Sequence, residues 1–203
     1  HRLFTGHKNP INWKSTTIAE RSLYITTAQA LKDMVSIYIE EAYGEISDNL
    51  KPKIKGAVPI RPSDKIIEKV SDIFYSLLDN VYELDVFRRI KSGDSIVQVR
   101  GFYSKLNVNY EGHLLLRPIG QTILSRAIGK VIKKGKMSLE EVFAKLNRLD
   151  KAKGFRQQEY SNLWYKVTFD PFGRGRMIIS NQTLASDLLA YLIEGAESDK
   201  REE

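Results

Sequence analysis

The chain has 203 residues, 42% hydrophobic and 28% charged, a globular balance that argues against a disordered polyelectrolyte. It has no cysteine, which excludes disulfides and thiolate chemistry and makes a reducing compartment the natural reading. A net charge of +7, with a pI near 9.4, favours polyanionic partners through long-range attraction and counterion release.

In chain order, Thr17-Ile-Ala-Glu20 reads as a capping box, with the threonine oxygen accepting from the Glu20 amide and the glutamate reaching back. Ala28, Leu31, Val35, Ile39 and Ala42 follow at helical spacing, and Gly44 reads as the stop. Residues 45–62, with Pro52, Pro59 and Pro62 and alternating Lys51, Lys53 and Lys55, read as loop. Ser63 or Asp64 caps a long helix striped by Ile66, Val70, Ile73, Leu77, Val81 and Leu84. Ser92-Gly93-Asp94 is a turn signal, Ile96–Val99 suggests a short strand, and Asn107–Gly112 fits either state.

Pro118 suits the first turn of a helix that carries Ile119, Ile123, Ala127, Ile128 and Val131 and ends by Gly135. Ser138-Leu-Glu-Glu141 is a second capping box, opening a helix with Val142, Phe143, Leu146 and Leu149. Leu163, Tyr165, Val167 and Phe169 alternate with Trp164, Lys166 and Thr168 at strand period. Asp170–Gly173 is the turn, and Met177–Ile179 is the returning strand of a hairpin. Ser180 or Asn181 caps a last helix with Leu184, Leu188, Leu189 and Leu192, stopped by Gly195. The expectation is a mainly α (α+β) fold of about five helices with a small hairpin: a helical domain over 13–195, and a disordered polar tail over 196–203.

No apolar run reaches bilayer-spanning length and the opening residues lack signal-peptide character, so the expected location is the cytoplasm, with no membrane partner. Because the chain opens at His1-Arg2-Leu3 without methionine, it reads as a fragment.

The charge has local structure. Between Glu111 and Glu140 there is no acidic residue, while Arg117, Arg126, Lys130, Lys133, Lys134 and Lys136 all fall in the interval. On a helical wheel Arg126, Lys130 and Lys133 share the side opposite the apolar stripe. Two readings stand for that side: a solvated outer face, or a face that contacts phosphates. Arg117, just before a helix N-terminus, suits an anion or pairs with a carboxylate. Gly173-Arg174-Gly175-Arg176 is a basic glycine loop whose backbone permits close approach to phosphate, or simply a hairpin tip.

Catalytic signals are weak. His1, His7 and His113 have no carboxylate or second histidine at metal-ligand spacing, so neither a metal site nor a cofactor is expected, and His113 reads as structural. No serine sits in a Gly-x-Ser-x-Gly context. Trp13, Trp164 and Tyr165 are candidates for base stacking or for core.

Three blocks carry a family likeness: Ser15–Ala28, Gly112–Gln121, and the ending from Leu163-Trp164 through Gly175-Arg-Met177 to Asn181 and the Leu-rich helix. Together they resemble the C-terminal half of DGQHR-domain proteins, the family that includes the DndB proteins of bacterial DNA phosphorothioation systems. The resemblance spans most of residues 13–193. It implies that residues 1–12 are the tail of an N-terminal ParB-like α/β domain, with His1 and Arg2 the remnant of its Asp-Gly-Gln-His-Arg signature. It also implies a DNA-binding regulator or accessory factor, with DNA and other proteins of a DNA-modification system as partners. Arg117, Arg126, Lys130, Lys133, Lys134, Arg174 and Arg176 are then the expected DNA-facing groups. The rival expectations are a ParB-like nuclease or nucleotidase that uses the signature, and a protein-interaction module.

Overall fold

The computed structural model describes residues 10–19, 21–50, 53–55, 58–101, 112–156, 163–164, 166–170 and 176–195. The fold is mainly helical, with small two-stranded pairings. In chain order the elements begin with β1 (Ile11–Asn12), β2 (Thr26–Thr27), α1 (Ala28–Ala42) and α2 (Gly44–Leu50). A hairpin of β3 (Lys53–Lys55) and β4 (Val58–Ile60) precedes α3 (Asp64–Tyr82), α4 (Asp85–Lys91) and α5 (Ile96–Arg100). After a tight helical turn at Leu114–Leu116 come α6 (Pro118–Lys133) and α7 (Leu139–Lys151), then β5 (Phe169–Asp170), β6 (Arg176–Met177) and α8 (Gln182–Glu194). No described helix is long and apolar enough to cross a membrane.

Helix α6 organises the packing. It is buried on most of its circumference, including Gln121, Ile123, Leu124, Ala127, Ile128 and Val131, with α1 along one side and α8 along another. Small residues permit this. A Cβ on Gly129 would lie 2.6 Å from Glu41 Cβ on α1, so the two helices cross closer than any larger residue allows. Leu31, Met34, Val35, Tyr38 and Ile39 of α1 fill the joint core with Leu77 and Val81 of α3 and Ala185, Leu189 and Ile193 of α8.

Several local expectations give way to tertiary context. Thr17 does not cap a helix: its amide bonds Ser15 Oγ at 3.1 Å in a turn, and Glu20 lies outside the described residues. The helix starts eleven residues later, capped by Thr27, whose Oγ1 accepts from Ala30 N–H at 2.9 Å. Thr27 wins because Thr26 and Thr27 are fixed in parallel pairing with Ile11 and Asn12. Gly44 opens α2 instead of ending the chain's helical run, and residues 45–62 hold a helix and a hairpin where loop was expected.

Ile96–Val99 is helical, not a strand. Ile96, Val99 and Arg100 are buried at spacings of three and four, and Ser95 caps the turn. The expected strand at 163–169 shrinks to Phe169–Asp170: Val167 and Thr168 turn back onto Trp164 O, and Trp164 is buried. The hairpin survives as Phe169↔Met177 and Asp170↔Arg176. The helix from Pro118 and the reciprocal cap of Ser138 and Glu141 match expectation, the cap closing at 2.7 and 3.2 Å.

Gly120 sits where the turn at Leu114–Leu116 folds under the start of α6. A Cβ there would stand 2.0 Å from Leu114 O and 2.6 Å from Leu114 C, a clash with backbone that no rotamer change relieves. Gly120→Ala is expected to destabilise by about 3 kcal/mol or more and to lower Tm by roughly 5–10 °C in a thermal melt. A melt coincident with that of the unsubstituted chain would mean that the turn and α6 are not packed this closely.

Candidate nucleic-acid interface

The polar frame that positions α6 is buried. Arg100 is 1% exposed, and its guanidinium donates to backbone oxygens: Nε to Leu116 O at 3.0 Å, Nη1 to Ser22 O at 2.6 Å, and Nη2 to Tyr24 O. Burial first, and the like charge of Arg117 second, push this guanidinium down to about 10, so it stays charged at neutral pH. Gln121 completes the frame. Its Oε1 accepts from Thr26 Oγ1 at 2.6 Å, and its Nε2 donates to Leu115 O at 3.0 Å and Ile25 O at 3.4 Å. These bonds join the first two sequence blocks, Ser15–Ala28 and Gly112–Gln121.

The third block reaches them through Phe155. Trp164 stacks on Phe155 with centroids 6.2 Å apart and donates to Gly154 O at 2.6 Å, and Phe155 O accepts from Leu114 N–H at 2.9 Å.

His113 has an acidic partner after all, 37 residues away: Nε2 and Asp150 Oδ1 are 2.8 Å apart. Its Nδ1 accepts from Leu115 N–H at 3.3 Å, which leaves Nε2 as the donor. Asp150 Oδ2 and Asn147 Oδ1 in turn accept from Val86 and Asp85 N–H at the start of α4. Both ring nitrogens are engaged and the pair is buried, so it locks helices together and offers no lone pair to a substrate. Among the described residues no three His, Asp or Glu side chains form a metal-sized group.

The basic side of α6 takes a form the sequence does not reveal. Arg126 Nε lies 3.3 Å from Glu41 Oε1 of α1. Lys130 Nζ lies 2.6 Å from Asp187 Oδ1, and Lys134 Nζ lies 2.6 Å from Glu194 Oε1, both on α8. Arg126, Lys130 and Lys134 of the acid-free interval are therefore paired with carboxylates from other segments and form a seam of ion pairs against the neighbouring helices. Lys133, outside this seam, is exposed, as is Lys136 in the following turn.

Arg117 is half-buried and donates through Nη2 to Gly101 O at 3.0 Å and Arg100 O at 3.4 Å, so it braces the approach to α6. Only the backbone of Arg176 is described, in β6, and His1, Arg2 and Arg174 lie outside the described residues, as do Tyr165 and the tail 196–203. Trp13 is 67% exposed whereas Trp164 is core.

A second basic group is assembled only by the fold. Lys136, Lys145 and Arg148 line one cleft with Tyr191, at the corner where α6 turns into α7 and α8 ends. The signal was present as an i, i+3 pair on α7, Lys145 and Arg148, but nothing local ties it to Tyr191 on another helix.

Comparison with family models, with curated proteins and with solved structures finds no match to this chain.

The frame makes a sharp demand on stability. Arg100→Met keeps much of the apolar stem but strands the carbonyls of Ser22, Tyr24 and Leu116 without their donor. The expected loss is about 3 kcal/mol or more, read as a fall in the urea midpoint at unchanged slope. A loss below about 0.5 kcal/mol would show that water satisfies those carbonyls instead.

Proposed function

We propose that this chain is a DNA-associated accessory or regulatory module that contacts phosphates through the basic corner at the end of α6. The observation that carries this reading is the run Lys133, Lys134 and Lys136, where Lys133 and Lys136 are exposed and Lys134 is paired with Glu194. Exposed lysines at a helix end give sequence-independent attraction to a polyanion, which is what a positioning contact needs. The resemblance to the DGQHR-domain family supports a setting in DNA sulfur modification or a related defence system, with other proteins of that system as partners. The seam residues Arg126 and Lys130 contribute less on this reading, because a phosphate would have to displace Glu41 and Asp187.

A second reading, a protein-interaction module, is favoured by an open apolar groove of about 510 Å³ between α1, α2 and α3. Trp13, Leu31, Val35, Ile39, Leu50 and Phe74 line it.

Duplex DNA binding at low ionic strength is expected to fall steeply with added salt. Replacing Lys133 and Lys136 together by glutamine should weaken it by a similar factor on every sequence and reduce the salt slope by about 2, with Tm unchanged. Arg126 and Lys130 replaced together should affect affinity less. Absence of duplex binding at low salt would remove this reading and leave the interaction module ahead.

A further inference from the structure

The cleft between α7 and the end of α8 has a volume of about 560 Å³, within the range of ~300–1,000 Å³ typical of small-ligand sites. Lys136, Lys145 and Arg148 bring positive charge to its lining, and Met137 and Ala144 add apolar surface. Tyr191 contributes an aromatic ring that is 56% exposed, although its helix neighbours Ala190 and Ile193 are buried.

Two carboxylates, Glu141 and Glu194, also line the cleft, and each has a partner of its own. Glu141 Oε2 accepts from Ser138 N–H at 2.7 Å as part of the α7 cap, and Glu194 Oε1 holds Lys134 at 2.6 Å. Lys145 Nζ donates to Glu194 O at 3.2 Å and so offsets the negative end of the α8 dipole, which would otherwise repel an anion. Arg148 and Lys136 remain exposed at the rim.

An exposed aromatic ring that shares a partly apolar cleft with a guanidinium and an ammonium matches the two halves of a nucleotide. The ring takes a base face by stacking, and the cations take its phosphate. Bases within a duplex are stacked on one another and present only their edges, so the base that reaches Tyr191 has to be unpaired.

We propose that this cleft binds one nucleotide unit with an unpaired base, its phosphate on Arg148 and Lys136 and its base on Tyr191. The unit is supplied by a single strand or as a free nucleotide. The inference rests on the nucleic-acid reading above and deepens it by naming what is held at one place.

The test uses fluorescence anisotropy at low salt with a labelled oligothymidylate of about ten nucleotides, a labelled blunt duplex, and unlabelled thymidine monophosphate as competitor. Tyr191→Leu is expected to weaken binding of the single strand by roughly tenfold, to leave the duplex unchanged, and to keep Tm, since the ring is exposed. Tyr191→Trp should retain or tighten strand binding. Displacement by the monophosphate identifies a free-nucleotide site, and its failure to displace identifies a site that needs the strand.

Strand binding that is indifferent to Tyr191→Leu overturns the proposal, as does duplex binding without any strand binding; in both cases the DNA reading stands. Loss of both duplex and strand binding in the unsubstituted chain removes the two together.

Discussion

A guanidinium buried among carbonyl oxygens is the constraint on which the rest of the structure turns. The segment before α1 and the turn before α6 are mostly irregular, so their carbonyls have few ladder partners, and leaving such groups bare in the interior costs about 1–3 kcal/mol each. Arg100 and Gln121 meet that demand from α5 and α6. With those segments fixed, Thr27 is placed to cap α1, α1 is aimed along α6, and Gly120 and Gly129 become necessary because the backbones now pass so close. Charge serves here as a donor set for backbone oxygens, which is a structural use of arginine that a count of basic residues cannot separate from a DNA-binding one.

What could be read from the sequence follows from where its signals originate. Helices whose caps and stripes lie within one segment were legible: α3 from its repeating aliphatics, α6 from Pro118, α7 from the Ser138 and Glu141 pair, α8 from its leucines and Gly195. Elements decided by distant partners were not. The Thr17 box is sound local chemistry, but the parallel pairing at Thr26–Thr27 places the helix start elsewhere. Ile96–Val99 is rich in β-branched residues like a strand, yet Ile96, Val99 and Arg100 also satisfy helical spacing, and burial of Arg100 decides between them.

The candidate site shows the same division more sharply. That Arg126 and Lys130 share a side of α6 was visible, and so was the lack of acids nearby in the chain. That Glu41, Asp187 and Glu194 come from α1 and α8 to meet this helix was not, because neutralisation is a property of space and the sequence displays only one dimension of it. Tyr191 was hidden for the same reason. Within its own helix it is one more residue beside a leucine-rich stripe, and it gains a meaning only when α7 brings Lys145 and Arg148 alongside.

The long reach of Arg100 also orders events in time. Its acceptors Ser22 and Tyr24 lie 78 and 76 residues back along the chain, and Gln121 answers Thr26 across 95. Contacts so distant in sequence carry a large loop-closure entropy and form late. During synthesis the amphipathic α1 therefore emerges well before α6, and its face around Tyr38 and Ala42, where Gly129 packs, has no cover until residues beyond Gln121 have left the ribosome. Over that interval the nascent chain exposes that face to whatever surrounds it, so the demand this fold places on chaperones is set by the separation of two hydrogen-bonding residues from their partners.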